Sequence, residues 1–226
     1  MGREAPVIIF QPQGIIEQTY YEQGIDSCRP GNYKEEKVDP LGIIRRYYKP
    51  DSLAYTILVE HSMMVVVKCL EIAGNIEELH PDISFLKEAA MLHDVGILFT
   101  DAPAIGCYGN RSYICHGYLG RELLEEEGLP EHALVCERHV GVGLSENDIL
   151  AHALPLPARD MIPLTLEEKI ICYADKFFSK KAAGGQFEKS LDEVRQSFEK
   201  YGPDQLQRLD EMTALFSRKP SRGKVL

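Results

Sequence analysis

The chain has 226 residues and a formal net charge of −10 at pH 7. That length can bury a sizeable core and predicts one large domain with a short extension. The acidic balance disfavours nonspecific binding to nucleic acids, which depends on clustered lysines and arginines that displace counterions. We therefore expect a small-molecule partner, and an anionic one would require local positive charge, most simply from a bound metal.

The segment before residue 40 carries no sustained hydrophobic period and predicts an extension or arm, residues 1–39. Its short apolar run, residues 7–10, favours at most an edge strand, because prolines flank it. The run supports neither a secretory signal nor a membrane span. We therefore expect a cytoplasmic protein with no membrane partner, and we interpret the six cysteines, which lack C-x-x-C spacing, as reduced thiols.

Helical patterns dominate from residue 40 onwards. Asp39 and Pro40 are a cap and a first-turn proline, and they predict a short helix that Pro50 ends. A longer amphipathic pattern then runs from about Ser52 to Gly74. The stretch 83–93 is apolar on nearly all sides, as expected for a helix surrounded by neighbours.

The second half of the chain continues the helical pattern. Residues 96–112, rich in glycine and proline, predict a loop. Helices are predicted at 115–127 and from Pro130 to about 140. After a proline-rich linker at 154–163, Thr165 and Glu168 predict a capping box that begins the next helix.

The last predicted helices, 187–201 and 205–216, are amphipathic and peripheral, and residues 218–226 form a basic tail. We find no internal repeat. The sequence thus predicts an all-α domain at residues 40–217, a helical bundle with an irregular N-terminal extension.

Histidines and aspartates recur at wide intervals within these helices: His61, His93, Asp94, His116, His139 and Asp175. Imidazole nitrogens and carboxylate oxygens suit divalent ions. A lone buried histidine is more often an ordinary core residue. However, an aspartate in the middle of an apolar helix, as predicted for Asp94 and Asp175, is costly to bury unless a cation or hydrogen bonds compensate its charge. Two such positions together with histidines point to a shared cation.

The order of His61, His93-Asp94 and Asp175 resembles the HD-domain metal-dependent phosphohydrolases. The strings 91–96 and 173–176 look like the two strongest motifs of that family. The resemblance covers roughly residues 41–181 and implies the HD-type helical bundle. In the binuclear branch of the family two further histidines precede the last aspartate, and His116 and His139 occupy those places.

The resemblance implies two divalent ions. One would be held by His61, His93, Asp94 and Asp175, the second by His116 and His139, and Asp94 would bridge them as the catalytic centre. Iron or manganese is the family-based expectation, with zinc, nickel or magnesium left open. Paired metals about 3.5 to 4 Å apart can bind phosphate oxygens and lower the pKa of a bridging water.

Two family features are missing. Many relatives have a lysine shortly after His-Asp-x-Gly, where this chain has Ile97 and Leu98. The Gly-Tyr-Pro signature of the cyclic dinucleotide branch is also absent, so hydrolysis of cyclic-di-GMP is not expected. Arg111, Lys176 and Arg138 are the candidates to bind the substrate phosphate instead, with Arg111 preferred.

Other readings stay open for several polar residues. Each of the three phosphate-binding candidates could also be an ordinary ion pair or a solvated charge. Glu137 and Asp101 are conceivable partners for a ligand imidazole. The remaining histidines, His80, His132 and His152, are interpreted as surface residues.

The leading hypothesis is a phosphohydrolase that acts on a small nucleotide or a related phosphate ester without an organic cofactor. Dinucleoside polyphosphates and nucleoside monophosphates are both compatible with it. The alternative is a noncatalytic metal- and nucleotide-binding sensor or interaction domain. A homo-oligomer is possible in either case.

Overall fold

The computed structural model describes residues 38–180 and 188–217, and these residues form the predicted all-α fold. The helices are α1 Pro40–Tyr47, α2 Leu53–Asn75, α3 Ile83–Leu92, α4 His116–Glu126, α5 Pro130–Arg138, α6 Glu146–Ala151, α7 Leu166–Asp175, α8 Leu191–Phe198 and α9 Pro203–Phe216. Short 3-10 turns lie at Glu77–Leu79, Val95–Phe99, Pro103–Ile105, Tyr113–Cys115 and Glu199–Tyr201. The predicted arm, including the run at residues 7–10, and the basic tail lie outside the described residues, apart from positions 38 and 39.

Side-chain caps begin most of these helices. Asp39 Oδ1 accepts the Gly42 amide at 2.9 Å, and Asp82 Oδ1 accepts the Phe85 amide at 3.0 Å. Such caps satisfy amides that have no partner within the helix. Thr165 also caps its helix as predicted, but Glu168 accepts the amide of Leu164 instead of completing the capping box.

Helix α2 is the centre of the bundle, in contact with α3 and α7. Its core side chains, such as Leu58, Val65 and Cys69, have no exposed surface. By length and composition α2 could cross a membrane, but half of its most apolar window is buried inside the protein. We therefore interpret it as a core helix of the bundle.

The structure differs from the sequence-based expectations at three further places. Asp175 is the last residue of α7 and not a mid-helix residue. The predicted loop at 96–112 contains 3-10 turns and a two-stranded antiparallel hairpin, Asp101–Ala102 with Cys107–Tyr108. Helix α6 was not predicted, because its six residues bury only one side chain, Ile149, and so show no helical period.

The 3-10 turn Val95–Phe99 passes directly over α4, and this contact depends on two glycines. A Cβ atom on Gly96 would overlap the His116 carbonyl oxygen and the Gly120 amide nitrogen. A Cβ atom on Gly120 would overlap the thiol of Cys136 on α5. The two glycines therefore set how closely α4, with His116 at its first position, approaches the end of α3.

Candidate metal centre

The structure brings together all six side chains proposed from the sequence. They lie at five places in the bundle: His61 within α2, His93 and Asp94 just after α3, His116 at the start of α4, His139 just after α5 and Asp175 at the end of α7. All six are buried, with 0 to 8% of their surface exposed. Four helix ends and the middle of α2 thus meet around one polar centre inside an apolar bundle.

Asp94 is the middle of this centre, and its two carboxylate oxygens face different histidines. Oδ2 lies 3.1 Å from Nε2 of both His61 and His93. Oδ1 lies 3.4 Å from His116 Nε2 and 3.3 Å from His139 Nε2. Asp175 Oδ1 completes the first side, at 2.9 Å from His61 Nε2.

These atoms form two overlapping groups that could each hold a metal ion. The first is His61, His93, Asp94 and Asp175; the second is Asp94, His116 and His139. Asp94 belongs to both groups, so one carboxylate could contact two cations.

Three of the imidazoles are oriented by backbone carbonyl groups. Nδ1 of His93, His116 and His139 lies 2.6 to 2.7 Å from the carbonyl oxygen three residues earlier in the chain. A carbonyl oxygen only accepts, so each Nδ1 carries a hydrogen, and in the neutral ring each Nε2 presents its lone pair to the centre. Neutral imidazoles in that tautomer are ready to bind metal.

Several atoms of the centre that carry lone pairs lie close to one another, and this arrangement fits a cation between them. The Nε2 atoms of His116 and His139 are only 3.1 Å apart. With both hydrogens on Nδ1, two lone pairs face each other across this distance. The same holds for His93 Nε2 and Asp94 Oδ2 when the His93 ring is neutral. Such contacts are favourable only with a proton or a metal ion between the atoms, so the residues present fit divalent cations.

The carboxylates of the centre are charged. Burial raises the pKa of Asp94, but Lys180 and His93 outweigh burial and hold that pKa well below its usual range. Burial also raises the pKa of Asp175, and there Lys176 and Lys180 lower it by more. Both carboxylates are therefore ionised and can serve as anionic ligands for a cation.

The histidines divide into two kinds. Burial lowers the pKa of His93, but the two carboxylates outweigh burial and raise it to about 9. Burial lowers the pKa of His116 to about 3 and also lowers that of His139. In the metal-free protein at neutral pH, His93 is therefore protonated, while His116 and His139 are neutral.

Among the residues that the structure describes, two lysines reach the centre, and sequence reasoning proposed only one of them. Lys176 Nζ lies 2.7 Å from Asp175 Oδ2 and 2.9 Å from the His139 carbonyl oxygen. Lys180, which the sequence analysis missed, lies with its Nζ 2.6 Å from Asp94 Oδ2. Its position five residues after Asp175 was an available signal, because a chain leaving the end of a site helix can turn back over the site.

The structure does not bring the two arginine candidates to the centre. Arg111 is exposed, donates to the Tyr118 hydroxyl and lines a separate surface cleft beside Phe99. Arg138 donates to both carboxylate oxygens of Glu168, at 2.8 and 3.0 Å, so its charge is already paired.

Three other expectations need correction. Glu137 accepts hydrogen bonds from Arg121 and Arg159 and does not orient an imidazole. Asp101 is exposed in the hairpin. His132 is buried against Phe85 and is not a surface residue, whereas His80 and His152 are exposed.

A cavity of about 930 Å³ opens onto the centre. Its floor includes His116, His139 and Asp175, and its polar wall includes Lys176 and Lys180. Aromatic and aliphatic side chains form part of the remaining wall, among them Tyr113, Ile114, Phe178 and Phe198, together with polar residues such as Asp148 and Gln205. The centre is thus accessible to a ligand of substantial size.

Comparisons with known proteins agree with this arrangement. A sequence model of the family described as the HD domain matches residues 58–179. An uncharacterised protein of Methanocaldococcus jannaschii is 33% identical over 147 residues, which are 63% of this chain and 76% of that protein. No solved structure gave a significant match.

Two further relatives are named as tRNA (cytidine(56)-2'-O)-methyltransferases. The protein of Thermoplasma volcanium is 27% identical over 73% of this chain, and that of Picrophilus torridus is 31% identical over 43%. The matches span only 42% and 25% of those two proteins. The matched HD-domain region covers more than half of this chain and includes all six residues of the candidate centre. The chain therefore belongs to the HD-domain family.

Proposed function

We propose that the protein is a metal-dependent phosphohydrolase that cleaves a phosphate ester or anhydride bond of a small nucleotide or a related compound. The observation that carries this proposal is the position of Asp94 between two pairs of histidines, with one oxygen facing each pair. A site for one structural ion would not require a carboxylate shared between two donor groups. The proposal includes two divalent ions, with iron or manganese as the preferred choice.

The metal ions would be held by the two overlapping groups around Asp94. When bound, such ions supply Lewis acidity toward phosphate oxygens and lower the pKa of a water. The protein itself supplies orientation, because three backbone carbonyls fix the imidazoles inside the bundle. Such preorganisation reduces the cost of arranging the reacting groups.

The cavity supports a nucleotide-sized substrate. Its volume of about 930 Å³ falls in the range of small-molecule sites, roughly 300 to 1,000 Å³. Lys176 and Lys180 place positive charge beside the centre, although the whole chain carries −10. The aromatic side chains of the wall, such as Tyr113 and Phe178, suit the flat face of a base. These features favour an anion with an apolar, planar portion.

The competing proposal is a noncatalytic sensor that uses the same centre to bind metal and nucleotide. The names of the methyltransferase relatives describe those proteins, and tRNA enters here only as one member of a substrate panel. We also propose a cytoplasmic location, which the buried free thiols Cys69, Cys107, Cys115, Cys136 and Cys172 support.

The test is metal-dependent turnover. The purified protein is analysed for bound metal, loaded separately with iron, manganese, zinc, nickel or magnesium, and assayed for phosphate release. The panel contains nucleoside mono-, di- and triphosphates, dinucleoside polyphosphates and tRNA. For the dinucleoside polyphosphates, a coupling phosphatase converts the nucleotide products to free phosphate. We expect turnover that Asp94→Ala reduces by about a thousandfold, because several kcal/mol of charge stabilisation are lost.

Asp51→Ala is the matched control, because Asp51 is exposed and lies outside the cavity. It should leave turnover unchanged. Metal-replete wild-type protein that binds nucleotides tightly and hydrolyses none of them would favour the sensor. Binding of only one metal ion per chain would exclude the second proposed metal site, at His116 and His139.

A further inference from the structure

Lys180 lies on the same carboxylate oxygen that a metal ion would use. Its Nζ is 2.6 Å from Asp94 Oδ2, and only 12% of its side chain is exposed. The same oxygen lies 3.1 Å from Nε2 of His61 and of His93. Lys180 therefore supplies positive charge at the first metal-binding group.

A divalent cation and the Lys180 ammonium would compete for this oxygen. A cation in the first group would contact Asp94 Oδ2, and two positive charges at one oxygen repel each other. The lysine has a flexible four-carbon stem, so the ammonium can move away at little cost. Lys180 lines the cavity, and its Nζ already lies 5.9 Å from the centre of the Tyr113 ring. The displaced ammonium would thus remain in the cavity beside the centre.

Lys176 is less suited to this change. Its Nζ contacts both Asp175 Oδ2 and the carbonyl oxygen of His139, at 2.7 and 2.9 Å. A cation would not take the carbonyl partner, so Lys176 would stay in place. The position after the His-Asp pair offers no alternative charge, because Ile97 is fully buried and apolar.

We propose that Lys180 binds the reacting phosphate of the substrate once a divalent cation has taken Asp94 Oδ2 from it. This inference rests on the proposed function and names the residue that recognises its anionic group. It makes binding ordered: in the metal-free protein Lys180 neutralises Asp94, and in the loaded protein the same charge becomes available to an anion. Phosphate should therefore bind much more tightly after metal than before it.

The test measures the binding of Mn²⁺ and of inorganic phosphate by calorimetry, without any turnover. In the manganese-loaded protein, Lys180→Met should weaken phosphate binding roughly 10- to 100-fold, as expected for loss of a charged hydrogen bond. Lys180→Arg should stay within a few-fold of the wild type, because it keeps the charge. In the metal-free protein, Lys180→Met should bind Mn²⁺ more tightly, because the competing ammonium is gone.

Lys49→Met is the matched control: it removes the same group from an exposed position outside the cavity, and both affinities should stay unchanged. Wild-type phosphate affinity in the loaded Lys180→Met protein would overturn the inference, even if Mn²⁺ binding became tighter. Equal losses in Lys180→Arg and Lys180→Met would overturn it as well.

The two proposals fail in different ways. If the wild-type protein hydrolyses nucleotides and the Lys180→Met variant binds phosphate normally, only the proposed role of Lys180 is wrong. If the metal-loaded protein binds phosphate through Lys180 but hydrolyses no phosphate ester, only the proposed phosphohydrolase activity is wrong.

Discussion

The ligand imidazoles are oriented by the backbone and not by acidic side chains. His93, His116 and His139 each direct Nδ1 to the carbonyl oxygen three residues earlier. Each of them is at, or one residue beyond, a helix end, where a carbonyl can accept an additional hydrogen. The tautomer is therefore set by local chain geometry, and Glu137 is left to pair with arginines.

The protonation of His93 predicts a pH dependence of metal binding. Its pKa of about 9 in the metal-free protein means that the ring carries a proton at neutral pH. A metal ion has to displace that proton, so Mn²⁺ affinity should rise between pH 6 and 8.5 by up to about tenfold per pH unit. The low pKa of His116, about 3, adds no dependence in this range.

Calorimetric titrations with Mn²⁺ at several pH values would measure this slope, and titrations in buffers of different ionisation enthalpy would count the released protons. His80→Gln is the control, because His80 is an exposed histidine outside the cavity and its removal should leave the slope unchanged. Equal affinities at pH 6 and pH 8 would contradict a protonated His93.

At the residue scale, the sequence was sufficient for the six-residue set but not for the charges around it. The six residues could be proposed together because their chemical types and order resemble one family. Lys180 could not be ranked against Arg111 and Arg138, because only the fold shows that Arg138 is paired with Glu168 and that Arg111 lies elsewhere.

The contact between the 3-10 turn Val95–Phe99 and α4 positions His116, and glycine makes it possible. We expect Gly96→Ala to destabilise the fold by about 1 to 3 kcal/mol or more, because the added methyl group meets backbone atoms that cannot move independently. The same change should weaken metal binding, because α4 has to shift. Urea unfolding and Mn²⁺ titration measure the two effects.

Gly74→Ala is the matched comparison. Gly74 lies near the end of α2, and an added Cβ meets no atom within 4 Å. This change should stabilise the protein by roughly 0.4 to 1 kcal/mol, because alanine loses less backbone entropy on folding. The structural account of Gly96 would be wrong if both substitutions changed the free energy of unfolding in the same direction.

The elements themselves followed from local patterns to differing extents. Helices such as α1, α2 and α5 were predicted because caps, prolines and hydrophobic periods mark them. Two elements were missed, helix α6 and the hairpin formed by Asp101–Ala102 and Cys107–Tyr108. Both are too short to show a hydrophobic period.

For the molecule as a whole, metal binding and folding should be coupled. The ligands come from separate helices and meet only in the folded bundle, so a metal ion binds the native state in preference to the unfolded chain. At about 100 times its dissociation constant, a bound ion adds about 2.7 kcal/mol to the free energy of unfolding. For a chain of this size, that gain corresponds to a rise in Tm of roughly 5 to 10 °C.

Thermal unfolding with added Mn²⁺ and with excess chelator would measure the shift. It should be reversed by the chelator and largely lost in Asp94→Ala, while Asp51→Ala retains it. An unchanged Tm in wild-type protein at saturating Mn²⁺ would exclude a buried site assembled from these helices.

The sequence by itself determined the helical class, the family and the set of residues that could bind metal, because periodicity, caps and motif order are properties of the chain. Only the tertiary structure decided that Asp94 faces two pairs of histidines, that Lys180 reaches it and that the arginines do not. The physical reason is that helix packing sets the distances between helix ends. Those distances depend on close contacts such as that of Gly96 with α4, which no local pattern encodes.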